Sequence, residues 1–149
     1  MRRGFLALCF ACATAATSAA VPTQYETLVG QVAAYSAPLD CFNGTGYWAV
    51  IIRVREPASP HSKFIRVDFG LPCDKSPEWV SVKPSVQKFR LYRHKECDEV
   101  LNESMEMEQK REVVLPMWQY PRGAAHEKLP FGEVVPCYYP VDLPLAPVR

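Results

Sequence analysis

The sequence predicts an all-β fold: a small antiparallel barrel or strongly curved sheet, with one short helix and a proline-rich, extended C-terminal tail. Three observations lead to this prediction. Residues 47–55 and 64–71 alternate apolar and polar side chains with the period of two that is typical of half-buried strands. Short segments rich in Gly, Pro, Asn and Ser separate the strand-like stretches. Seven of the 14 prolines lie between Pro116 and Arg149, a composition typical of extended chain.

The first 20 residues have the order of a secretory signal peptide. Arg2 and Arg3 form a positive start, an uncharged and mostly apolar run follows, and small residues at positions 18–20 precede the expected cleavage before Val21. The apolar run is shorter than the roughly 20 residues that a membrane span needs, which disfavours an N-terminal anchor. We therefore predict a secreted or periplasmic protein with no transmembrane segment in its mature chain.

Length and composition describe one ordinary globular domain. The chain has 149 residues, of which 48% are hydrophobic and 22% charged, and this balance argues against wholesale disorder. Without the signal peptide, 15 basic residues face 16 acidic ones. A net charge near zero excludes a generally polybasic nucleic-acid or membrane-surface binder. The predicted segments are a signal peptide at 1–20, a β-rich globular domain at 21–118 and a proline-rich extension at 119–149 that packs on the domain.

Four cysteines remain after the signal peptide: Cys41, Cys73, Cys97 and Cys137. An even number in an exported chain favours two disulfides. Free buried thiols and a four-thiolate zinc site are the alternatives. Zinc sites usually contain closely paired cysteines, whereas the gaps here are tens of residues long. We therefore predict neither a metal nor a cofactor.

The two clearest strands, 47–55 and 64–71, are expected to pair as a hairpin. A register in which paired positions sum to 119 places every apolar residue of one strand opposite an apolar residue of the other. It also brings Arg53 opposite Arg66. The face predicted to be buried carries Trp48, Val50, Ile52, Val67 and Phe69.

Further elements are expected on both sides of this hairpin. Residues 28–34 and 86–92 alternate as strands, and Ser76-Pro77-Glu78 has the composition of a short helix start. Residues 98–103 form either a short helix or a solvated loop, and residues 112–118 return as an edge strand. No regular structure is expected in the tail that follows.

The hairpin register also predicts the disulfide pairing. It places Cys73 opposite Gly46, at the hairpin end that carries the turn with Cys41, and so predicts the bridge Cys41–Cys73. The bridge Cys97–Cys137 then follows by elimination and would fasten the tail to the body of the domain.

The order of the elements is similar to that of the OB-fold, a five-stranded Greek-key barrel. Over roughly residues 28–118 the predicted elements follow one another in the same order: strand, turn, long hairpin, short helix-like link and strand. This resemblance rests on element order and on no motif.

Basic residues gather on the polar side of the predicted strands. A positive sheet face with aromatic residues is how some small barrels hold oligonucleotides or oligosaccharides, and for an exported chain an anionic glycan or a lipid headgroup is more sensible than nucleic acid. The alternative interpretation is a solvated face that keeps a one-sided sheet soluble. The predicted ligand-binding residues are Arg53, Arg55, Arg66, Lys88, Arg90 and Tyr92.

Catalytic motifs are absent from the sequence, which contains no G-x-S-x-G, H-E-x-x-H, P-loop or G-x-G-x-x-G pattern. The leading hypothesis is therefore a non-enzymatic exported domain with a binding or structural role and no catalytic residue. The alternative is a small secreted hydrolase with a site near His94 and Asp98, groups that could act as base and acid. An enzyme should show His94 lining a concave pocket, whereas a binding domain should show a flat or grooved positive face.

Overall fold

The computed structural model describes residues 24–57, 63–77, 80, 83–106 and 114–141. The predicted signal peptide and most of the predicted short helix after Ser76 lie outside these residues. In chain order the strands are β1 (Tyr25–Ser36), β2 (Thr45–Glu56), β3 (Phe64–Pro72), β4 (Gln87–Arg93), β5 (Glu99–Val100), β6 (Ser104–Glu106), β7 (Val114–Pro116), β8 (Val134–Val135) and β9 (Cys137–Pro140). A 3₁₀ helix, Lys95–Cys97, separates β4 from β5. The described residues include no helix of the length and apolarity that crossing a bilayer requires.

Five of these strands close into a barrel in the order β1-β2-β3-β9-β4, and β4 pairs back onto β1. The pairing is antiparallel throughout except between β3 and β9, which run parallel. The short ladders β5–β8 and β6–β7 belong to the long connection between β4 and β9. The prediction of an all-β fold with a small barrel is therefore confirmed.

The fifth barrel strand comes from the proline-rich tail, where no regular structure was expected. That expectation is wrong for β8 and β9. The reason is that β9 has only four residues and two prolines, Pro136 and Pro140, precede and end it. Proline lacks the N–H that a ladder needs, and an alternation this short does not stand out from its surroundings.

Strand β1 bends so that one long strand can contact both β2 and β4. Its register against β2 shifts between Val29 and Gly30 and again between Val32 and Ala34. At Gly30 a Cβ atom would lie 2.6 Å from the carbonyl oxygen of Arg53, so a larger residue would force the two strands apart. A glycine at a bulge is how a small barrel turns such a corner.

The β2–β3 hairpin has the predicted faces and a different register. Paired positions sum to 117, so the predicted register is wrong by two residues, and Arg53 lies opposite Phe64 where Arg66 was expected. The ladder ends at Arg53 and Phe64, and just beyond it the Val54 N–H donates to the Lys63 carbonyl at 2.9 Å. A shift of two residues preserves which side each side chain faces, and a shift of one would have inverted it.

Both predicted disulfides are present. The Cα atoms of Cys41 and Cys73 are 5.9 Å apart, and those of Cys97 and Cys137 are 5.6 Å apart. The first pairing is correct despite the register error, because the Cys73 N–H donates to the carbonyl of Gly44 in the turn that follows Cys41. In that turn, positive φ angles of 49° at Asn43 and 78° at Gly44 form the tight two-residue loop.

Two apolar clusters lie on the two sides of β2. The inner cluster fills the barrel and contains the predicted residues Trp48, Val50, Ile52, Val67 and Phe69, all of which are buried. The outer cluster is formed by Ala33, Ala34, Ala49, Ile51, Phe64, Leu101, Trp118, Leu129 and Val135. Its last four members come from the connection between β4 and β9, which therefore covers part of the barrel's outer surface.

Candidate binding site

The six predicted ligand-binding residues occupy two separate parts of the barrel's outer surface. Arg53, Arg55 and Arg66 belong to β2 and β3, whereas Lys88, Arg90 and Tyr92 belong to β4. The strand between these groups is β1 on one side of the barrel and β9 on the other. The residues therefore do not form the single positive face that the sequence suggested.

The two half-buried arginines of the first group are matched by carboxylates. Arg53 Nη1 donates to Glu127 Oε1 at 3.0 Å. Arg66 Nε donates to Asp68 Oδ1 at 2.8 Å, and its Nη1 donates to Glu99 Oε2 at 3.5 Å. These acids offset the charges of Arg53 and Arg66, and Glu127 Oε1 also accepts from Lys63 Nζ at 3.1 Å.

A groove of about 410 Å³ opens beside Arg66. The surface of β2 and β3 contributes Tyr47, Ala49 and Asp68, residues 36–39 form a second wall, and residues 117–119 form a third. Most of the lining is apolar, and the Tyr47 side chain is 65% exposed at the edge. Pockets of about 300–1,000 Å³ with apolar walls and a few convergent polar groups are the usual form of small-ligand sites.

The polar groups of the groove are the adjacent side chains of Arg66 and Asp68. Burial raises the pKa of Asp68 above its usual range, and the hydrogen bond and charge of Arg66 oppose this effect only in part. The pair thus presents guanidinium donors beside a carboxyl group that retains its proton at higher pH than an exposed aspartate.

Asp68 also lies close to a disulfide. Its carboxylate and the Sγ atoms of Cys97 and Cys137 are within 4.8 Å of one another, a spacing compatible with metal ligation. The two sulfurs are joined to each other, however, and a disulfide supplies no thiolate to a metal ion. Of this cluster only Asp68 lines the groove, and its carboxylate is the one metal ligand that the three residues offer.

Of the pair considered for hydrolysis, Asp98 is held by hydrogen bonds, whereas the buried Nδ1 of His94 has no hydrogen-bond partner among the described residues. Both Nη atoms of Arg93 donate to Asp98 at 2.5 Å, and the Cys137 N–H donates to it at 2.8 Å. The bond to Arg93, and then that to Cys137, hold the pKa of Asp98 below its usual range. The imidazole of His94 packs on Tyr139 with ring centroids 4.8 Å apart, and neither His94 nor Asp98 lines the groove.

The sequence reasoning identified Arg66 and missed the remainder of the groove. Asp68 was not among the predicted ligand-binding residues, and its burial depends on segments distant in the chain. Met117 and Gln119 reach the groove because Gln119 and Tyr35 exchange backbone hydrogen bonds of 2.8 and 2.9 Å. No local sequence pattern predicts this contact between distant segments. No protein-family model, curated protein or solved structure matches this chain.

Proposed function

We propose that this protein is an exported, non-enzymatic binding domain with an OB-like barrel, and that the groove beside Arg66 is its ligand site. The OB-like assignment is supported by the five-stranded barrel and by its Greek-key order, in which β9 lies between β3 and β4. In OB-folds the face of strands 2 and 3, with the loop between strands 1 and 2, binds oligonucleotides or oligosaccharides. The groove lies between these same elements.

Export is supported by two features. The order of residues 1–20 follows that of a signal peptide. The two disulfides are typical of proteins that fold in an oxidising compartment.

The chemistry of the groove favours an uncharged, hydroxyl-rich ligand, for which we propose a neutral sugar unit. A hydroxyl group both donates and accepts, and Arg66 and Asp68 offer it donors and an acceptor side by side. The exposed Tyr47 ring provides a flat apolar surface for the C–H face of a pyranose. Because Asp68 and Glu99 balance the charge of Arg66, the groove does not favour the anionic glycan or lipid headgroup expected from the sequence. The juxtaposition of an exposed tyrosine with this half-buried ion pair is the observation that carries the proposal.

The test is a titration of the mature, disulfide-bonded protein with glucose, galactose, mannose and N-acetylglucosamine, followed by amide chemical shifts and tryptophan fluorescence. We expect saturable shifts at groove residues for at least one sugar, and a loss of about tenfold or more in affinity for Tyr47→Ala. Phe42→Ala is the matched control, because Phe42 is 68% exposed and does not line the groove. The proposal fails if no sugar gives saturable shifts, or if Tyr47→Ala and Phe42→Ala bind alike.

The hydrolase alternative has less support, because Asp98 is held as a carboxylate by Arg93 and is not in position to donate a proton. It is tested with chromogenic glycosides and esters as substrates. Turnover that disappears in His94→Ala while the urea midpoint is unchanged would favour the hydrolase over the binding domain.

A further inference from the structure

We propose that the groove is one end of a longer binding surface, and we infer that its ligand is a bent, neutral glycan with one sugar unit in the groove and further units beyond it. The surface crosses the outside of β9, β4 and β1 along a line of three tyrosines, which we call the tyrosine row. Its members are Tyr139, Tyr92 and Tyr25. This inference rests on the function proposed for the groove and extends it, because none of the three tyrosines lines the groove.

The strand registers align the three rings. Tyr25 lies directly opposite Tyr92 in the β1–β4 pair, and Tyr92 lies directly opposite Tyr139 in the β4–β9 pair. Directly opposite residues of antiparallel strands point to the same side of a sheet. That side is the outside, because the alternate residues Leu91 and Tyr138 are buried in the barrel core.

The row meets the groove at Asp68. Val67 of β3 lies beside Tyr138 of the parallel strand β9. The next residues of the two strands, Asp68 and Tyr139, therefore follow at the same level on the outside of the barrel. Asp68 Oδ2 is 3.3 Å from Sγ of Cys137, so the carboxylate reaches across to β9. Since Asp68 also lines the groove, the groove and the row are continuous along the sheet.

The spacing of the row suits a chain of sugar units. Tyr139 is 39% exposed and Tyr25 is 51% exposed, while Tyr92 between them is half-buried. From β3 the row crosses β9, β4 and β1 in turn. Neighbouring strands are about 4.7–4.9 Å apart, so the backbone of Tyr25 lies about 14 Å from that of Asp68, measured along the sheet. One strand spacing is close to the length of one pyranose unit, so successive units of a glycan can each contact one ring.

Tyrosine offers the two kinds of contact that a neutral glycan makes. The apolar face of the ring packs on the C–H face of a pyranose, and the phenol hydroxyl donates to and accepts from sugar hydroxyls. Because the unit proposed for the groove is neutral, a polymer of that unit is neutral as well. The outside of a barrel is convex, so a glycan that follows the row must bend. The chain of a maltooligosaccharide is bent in this way, whereas that of a cellooligosaccharide is straight.

The experiment measures the affinity of the mature, disulfide-bonded protein for glucose, maltose, maltotriose and maltotetraose, with cellotetraose as the straight comparison ligand. Amide chemical shifts report which residues each ligand contacts. We expect the affinity to rise along the maltose series, so that maltotetraose binds about tenfold or more tightly than glucose. The shifts should spread from the groove to β9, β4 and β1 as the ligand lengthens. Cellotetraose should bind no more tightly than glucose.

The order of the tyrosines makes the effect of each substitution depend on ligand length. Tyr25→Ala removes the contact farthest from the groove, so it should weaken maltotetraose about fivefold and leave maltose within about twofold. Tyr139→Ala removes the nearest contact and should abolish the gain from maltose onwards, whereas Tyr47→Ala should weaken glucose itself. Phe42→Ala is the matched control, because Phe42 is 68% exposed and lies outside both surfaces, and it should leave every affinity within about twofold. The urea midpoint of each variant checks its folding.

The outcomes separate this inference from the function proposed for the groove. Maltotetraose that binds no more tightly than glucose would overturn the inference and leave the groove as a site for a single sugar. Equal losses of maltose and maltotetraose in Tyr25→Ala would also overturn it, because the far end of the row cannot contact a two-unit ligand seated in the groove. Tighter binding of cellotetraose than of maltotetraose would refute the bent path. Absence of shifts at the groove with every sugar would instead be the failure of the proposed function, and the inference would fail with it.

Discussion

Ile51 and Ile52 are adjacent in β2, point to opposite sides of the strand, and are both fully buried. Ile52 lies inside the barrel, opposite Val32 of β1 and Ile65 of β3. Ile51 lies outside the barrel, beneath the connection between β4 and β9. Replacing each isoleucine by alanine therefore tests the two clusters separately with the same chemical change.

The two substitutions should have similar, large effects. Isoleucine to alanine removes three carbons, which at about 0.8 kcal/mol each corresponds to about 2.4 kcal/mol of lost transfer free energy. The cavity left behind adds to this, so we expect a decrease in unfolding free energy of about 3–4 kcal/mol for each variant, within the usual range of about 2–5 kcal/mol. For a domain of this size the midpoint of thermal unfolding should fall by about 10 °C or more.

Urea denaturation with both disulfides intact, followed by circular dichroism and tryptophan fluorescence, measures these effects. Val134→Ala is the control, because Val134 is 61% exposed, and it should change the unfolding free energy by about 0.5 kcal/mol or less. If Ile51→Ala behaved like Val134→Ala, the connection would not pack on the barrel in solution. If Ile52→Ala did so, the interior of the barrel would be wrongly assigned.

Three further predictions concern the N-terminus, one disulfide, and the ion pair of Arg93 with Asp98. N-terminal sequencing of exported protein should begin at Val21, and a start at Met1 would contradict the signal-peptide assignment. Replacing Cys97 and Cys137 by serine opens a loop with a sequence separation of 40 residues, which should lower the free energy of unfolding by about 4 kcal/mol in the chain-entropy model. Non-reducing peptide mapping of the unaltered protein should recover this bridge. Asp98→Asn should destabilise the protein by about 1–2 kcal/mol at neutral pH, because Asp98 accepts charge-assisted hydrogen bonds from Arg93. Folding lowers the pKa of Asp98, so the stability that its carboxylate contributes is present above its unfolded pKa and is lost as the pH falls through its folded pKa. The unfolding free energies of the unaltered protein and of Asp98→Asn should therefore converge in acid. A difference that stays constant with pH would show that the carboxylate charge does not matter.

The parts of the fold that sequence reasoning predicted correctly depend on local patterns. The alternation in β2 and β3 identifies the inner face, and this face is insensitive to a two-residue error in register. The register itself was missed because registers that differ by two residues satisfy the apolar alternation equally well, and the connection between β2 and β3 is too long for a two-residue turn to fix the pairing. Strand β9 was missed for a similar reason, since four residues between prolines acquire their strand character from pairing with β3 and β4.

The residues of the candidate sites also differ in whether a local sequence pattern identifies them. Positions on the outward side of a strand, such as Lys88 and Arg90, can be identified from the alternation of apolar and polar residues. Of the two acids that contact Arg66, Asp68 follows two residues later on the same side of β3, whereas Glu99 lies 33 residues away along the chain and cannot be identified from a local pattern. Local sequence patterns could not predict the groove, because it is assembled from β2, β3 and two loops that meet only in the folded protein.

The position of β9 in the barrel has a consequence for the order of folding. Strands β1 to β4 are all complete before residue 94, yet β3 and β4 each keep an unpaired edge until residues 137–140 arrive, and the pairing of Arg66 with Cys137 spans 71 positions of the chain. Contacts of such long range are slow to form, because the intervening chain must lose its freedom before they do. During synthesis or transport the chain therefore passes through a stage with two open strand edges, which are sites of intermolecular pairing. A chain that ended before Cys137 would keep those edges permanently, and we expect it to aggregate even though most of the barrel's core residues are present.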